Sequence, residues 1–64
     1  MRKLMIEMTY RNYTSSKVMK TAWKPETIMR RLLNENKEYI GAIFTISDIE
    51  TGKKLAKATV TRAA

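Results

Sequence analysis

From Arg2 to Tyr13 the chain alternates: Leu4, Ile6, Met8 and Tyr10 fall on one side, and Lys3, Glu7, Thr9 and Arg11 on the other. A period of two belongs to a strand with one face buried and one in water, so a strand is predicted here. The period returns in YIGAIFTISDI, residues 39–49, with Ile40, Ala42, Phe44 and Ile46 turned inward. In the ETGKK that follows, Gly52 stands where a tight hairpin takes a left-handed residue. LAKATVTR then reads as the returning strand, with Ala56, Ala58 and Val60 on one side and Lys57, Thr59 and Thr61 on the other.

A helical period separates these segments. In KPETIMRRLLNEN, Ile28, Met29, Leu32 and Leu33 form one stripe. Pro25 suits a first turn, Glu26 complements the positive end of the helix dipole, and Asn34 or Asn36 can end it. Ahead of it, SSKVMKTAW fits two periods. Val18, Met19, Ala22 and Trp23 keep helical spacing with Ser15 or Ser16 as a cap, whereas Val18, Thr21 and Trp23 favour extended chain. The strand is preferred, with NYTSS as a hairpin loop before it and Lys24-Pro25 as the break after it. The predicted fold is α+β: a single domain over residues 1–64, a small two-layer sandwich in ββαββ order. One helix packs on one face of an antiparallel sheet of about four strands. A winged-helix-like arrangement, with residues 15–23 helical and the helix over 25–35 entering a groove, is the structural alternative.

One short helix cannot cover both faces of such a sheet. With the even-numbered residues of the first, third and fourth strands beneath the helix, the open face is expected to carry Met5, Thr9, Arg11, Tyr13, Tyr39, Ile43, Thr45, Leu55, Lys57, Thr59 and Thr61. Met5, Ile43 and Leu55 would have nothing to bury them there, which predicts an interface, most simply that of a two-fold homodimer. Met8, Met19 and Met29 are assigned to the core. Trp23 joins them, because a chain with one Phe needs its large side chains inside.

Charge adds a partner to this picture. Thirteen Lys and Arg stand against six Asp and Glu, a net charge of +7. Residues 1–25 hold six bases and one acid, residues 26–50 three bases and five acids, and residues 51–64 four bases and no acid. Charge needed only for solubility has no reason to segregate, so an anionic partner is expected. The stretch RNYTSSKVMKTAWK interleaves Arg11, Lys17, Lys20 and Lys24 with Tyr13 and Trp23 and contains no acid. Cations meet phosphates and rings stack on bases. The expected nucleic-acid contacts are Arg11, Tyr13, Lys17, Lys20, Lys24, Lys53, Lys54, Lys57 and Arg62, with Tyr39 available for stacking. A plainer alternative makes the lysines gatekeepers of exposed strands. Arg30 and Arg31 read as the wet face of the helix, with Glu26 paired to Arg30.

Chemistry is limited by what the chain lacks. A domain of this size buries only about 60% of the surface its unfolded chain exposes. With no Cys and no His, neither disulfides nor the common transition-metal ligands can supplement that core. The same absences remove the side chain that titrates near neutrality and the thiol nucleophile. The closest acid pairs, Glu35 with Glu38 and Asp48 with Glu50, flank a helix end and a hairpin turn. No enzyme activity is expected, and no catalytic residue, metal ligand or cofactor is assigned. The apolar patch in MRKLMIEM is broken by Glu7, too early for a signal sequence, and no run nears the roughly 18 apolar residues of a membrane span. These features lead to the expectation of a complete, soluble cytoplasmic product with no membrane partner. The expected function is a non-enzymatic nucleic-acid-binding accessory or regulatory module. The alternative is a regulator or inhibitor of the small bacterial or mobile-element type. It would bind an acidic protein through an open sheet face or edge as a homodimer.

Overall fold

The structure, a computed structural model, describes residues 1–61. Its elements are β1 (Arg2–Tyr10), β2 (Tyr13–Thr21), α1 (Pro25–Glu35), β3 (Ile43–Asp48) and β4 (Lys54–Thr59). The strands form one antiparallel sheet in the spatial order β2-β1-β3-β4, and α1 packs on one of its faces. This is the predicted small α+β sandwich.

The core grows from the alternation of β1. Leu4 and Ile46 are fully buried, with Ile6, Ile28, Met29, Ala42, Phe44 and Val60 around them. Ile46 stands opposite Ile6 on one side and Ala56 on the other; Phe44 stands between Met8 and Ala58. The two alanines leave room for a helix above β4. Accordingly α1 approaches β3 and β4, and no Cα of α1 lies within 8 Å of a Cα in β1 or β2. The axis of α1 therefore lies over β3 and β4, while its side chains still share one core with the buried Leu4 and Ile6 of β1; β2 is left at the margin.

Local chemistry sets the boundaries of α1. Lys24 is extended (φ −70°, ψ 145°), as a residue before proline must be, and Pro25 begins the helix. At the other end Asn36 donates to the Leu32 carbonyl from both its backbone N–H (3.0 Å) and its side-chain amide (2.9 Å). The expected Glu26–Arg30 pair is replaced by Arg31–Glu35 at 3.7 Å, one turn nearer the C-terminus.

Several elements depart from expectation. NYTSS is not a loop: Arg11 and Asn12 alone turn the chain, and β2 pairs with β1 over nine positions, from Arg2 opposite Thr21 to Tyr10 opposite Tyr13. Thr14, Ser15 and Ser16 resemble loop residues in composition, but a ladder partner is present for each. Residues 15–21 are strand, which overturns the winged-helix alternative; a helix there would leave β1 with an unpaired edge. β3 begins at Ile43 rather than Tyr39, because Tyr39 to Gly41 form a turn with Gly41 at φ 94°. Ile40, expected inside, is 45% exposed in consequence.

The β3–β4 hairpin turns where predicted. The Asp48 carboxylate accepts from the N–H groups of Glu50 (2.9 Å) and Thr51 (3.2 Å), and Gly52 takes φ 74°. The ladder then slips by one residue: Ile46 faces Ala56 while Ser47 faces Lys54. Leu55 is the extra residue of this bulge, and its side chain packs against the core, which removes it from the open face.

Trp23 is not in the core but 47% exposed. The Thr21 hydroxyl accepts from the Trp23 N–H at 3.0 Å and turns the chain outward beyond β2. There the offset helix offers only its flank.

Candidate functional site

Antiparallel register fixes the open face as rows of side chains crossing the strands. One row reads Thr14, Thr9, Ile43, Thr59; the next Ser16, Glu7, Thr45, Lys57; the next Val18, Met5, Ser47, Lys54; and the last Lys20, Lys3. Every Lys in this set is exposed. Strands lie about 4.8 Å apart and alternate residues along a strand about 7 Å apart, so Lys20, Lys3, Lys54 and Lys57 share a face roughly 15 Å across. The set contains one acid, Glu7, and no aromatic ring. Among the described residues the ion pair within 4.0 Å is Arg31–Glu35, on the other side of the sheet. Among the described residues, none of these four lysines has a carboxylate oxygen within 4.0 Å.

The predicted nucleic-acid residues thus divide between surfaces. Lys20, Lys54 and Lys57 lie on the open face. Lys53 lies in the β3–β4 turn and Lys24 at the start of α1. Arg62 lies outside the described residues. Arg11 occupies the β1–β2 turn with its guanidinium carbon 5.3 Å from the Tyr10 ring centre. Tyr13 is paired with Tyr10 and so shares its face, and Tyr39 meets Tyr10 edge to face, with centroids 5.5 Å apart at 72°. Tyr13 and Tyr39, expected on the open face, therefore gather on the helix side. Lys17 is also there, opposite Ile6.

Lys3 was absent from the expected contacts. Alternation already put it on the polar side of β1; what the sequence does not show is that β2 returns beside β1 in the register that sets Lys20 against it. The three apolar residues expected to form an interface do not meet. Met5 and Ile43 are separated by the Glu7–Thr45 row, and Leu55 has left the face.

On the helix side, α1 and β2 flank a cleft. One part, about 250 Å³, is lined by Lys17, Met19, Trp23, Ile28, Arg31, Leu32 and Glu35. A second part, about 200 Å³, is lined chiefly by Met8, Ser15, Phe44 and Asn36 and shares Lys17 and Leu32 with the first. Two of the acids in the closest pairs have local partners. Glu35 meets Arg31, and Asp48 holds the hairpin turn.

No protein-family model matches the chain, and neither a curated protein nor a solved structure is detectably similar to it. Among the described residues no helix is long and apolar enough to cross a membrane.

Proposed function

We propose that this protein is a non-enzymatic nucleic-acid-binding module that lays the open face of its sheet on the phosphate backbone of a duplex. The observation that carries this reading is that Lys3 and Lys20 stand directly opposite each other. Like charges at facing positions destabilise a sheet, and an anion between or above them removes the repulsion. Lys54 and Lys57 extend the cationic surface, and Thr14, Ser16, Thr45, Ser47 and Thr59 supply hydroxyl donors suited to phosphate oxygens. With no ring on this face, base stacking plays no part, so binding tolerates sequence variation and favours double strands over single strands. An accessory or regulatory role in the cytoplasm is consistent with such backbone recognition. The reading does not require a dimer.

Filter binding of a 20-base-pair duplex at two salt concentrations tests it. Four phosphate contacts give a slope of roughly −3.6, so raising salt from about 50 to 200 mM weakens binding on the order of a hundredfold. Lys3→Ala with Lys20→Ala reduces the slope by roughly 2. Failure of the wild-type protein to bind duplex at low salt sinks the reading.

A further inference from the structure

We propose that the cleft between α1 and β2 receives one amphipathic helix of a partner protein, with acidic residues of that helix meeting Lys17. A four-stranded sheet spans about 19 Å and a helix with its side chains about 10 Å, so one helix leaves a margin of the face open. The single helix sits over β3 and β4. The margin left open between α1 and β2 is more apolar than the opposite face at its Trp23 end, and mixed at the end lined by Ser15 and Asn36. Met8, Met19 and Leu32 lie half-buried along it, and Trp23 stands 47% exposed at one end. Thioether side chains adapt to a partner's surface, and a partly apolar cleft flanked by one helix is the form in which grooves take a second.

Charge selects the occupant. Lys17 is exposed at the junction of the two parts of the cleft, whereas Glu35 is taken by Arg31. A helix bearing carboxylates beside its apolar stripe complements this lining, and a basic one does not. A second copy of this chain is a poor fit. Among the described residues its one helix already buries Ile28 and Met29 against its own sheet.

Two synthetic peptides of about four helical turns provide the test. Both carry the same Leu stripe; one has Glu and the other Lys on the polar face. A third has the acidic composition in scrambled order. Binding is followed by Trp23 fluorescence and by amide shifts of the labelled protein. The expected result is that the acidic amphipathic peptide alone shifts Met8, Met19 and Leu32 and moves Trp23 emission to the blue. Lys17→Glu should weaken it at least tenfold, and Lys3→Ala with Lys20→Ala should leave it unchanged, which separates this site from the duplex-binding face. The proposal is overturned if the scrambled peptide binds equally, if the shifts fall on the open face, or if no peptide binds at millimolar concentration. Concentration-dependent shifts of the cleft without peptide would identify a second copy as the occupant and overturn it equally.

Discussion

The Arg31 guanidinium lies over the ring of Trp23, its carbon 5.2 Å from the ring centre. This contact joins the flank of α1 to the segment leaving β2, at the edge of the uncovered cleft. An exposed cation–π contact contributes about 0.5–1 kcal/mol, far less than a core residue. Trp23→Ala should therefore cost on the order of 1 kcal/mol in urea denaturation. Ile46→Ala, at a fully buried position, should cost about 2–5 kcal/mol, a large share of the roughly 3–10 kcal/mol expected for this length. Equal costs would mean that Trp23 is a core residue after all.

Arg11 has φ 56° in the two-residue turn between β1 and β2. A side chain in that region costs about 1–2 kcal/mol, which glycine avoids. The Arg11 side chain offsets part of this through its position over Tyr10. Arg11→Ala loses that contact without relieving the backbone, whereas Arg11→Gly relieves it. Thermal unfolding should rank glycine above alanine by roughly 1 kcal/mol. The reverse order would contradict the left-handed turn.

The opposition of Lys3 and Lys20 predicts a trade between folding and binding. Lys3→Glu converts a repulsive cross-strand pair into an attractive one and should stabilise the sheet by about 0.5 kcal/mol, a small figure because both groups are exposed. The same substitution should weaken duplex binding at least tenfold. Chemical denaturation and a duplex titration on one preparation give the two signs. If Lys3→Glu binds as well as wild type, Lys3 is not at the interface.

Much of the fold was legible because it rests on local signals. Alternation in β1, Pro25 opening the helix and Gly52 in the second turn each act within a few residues of themselves. Features set by distant pairing were not legible. The offset of α1 depends on Ala56 and Ala58 being small in β4, a consequence visible only once β4 is known to be an edge strand beside β3. That offset exposes Trp23 and opens the cleft. Leu55 left its expected face through a bulge whose register depends on the length of the β3–β4 turn. The cationic stretch from Arg11 to Lys24 was conspicuous, but a strand sends alternate residues to opposite faces. Lys17 and Lys20 therefore serve different surfaces, and the closest companion of Lys20 proved to be Lys3, from the other strand of the hairpin.

Amide chemical shifts of the labelled protein titrated with a short duplex at low salt test the proposed interface most directly. Binding through the open face should move Lys3, Met5, Val18, Lys20, Ser47 and Lys54 together, while Met8, Met19 and Leu32 on the other side stay in place. Shifts concentrated at Met19, Trp23 and Leu32, or no shifts at all with the duplex in excess, would contradict it.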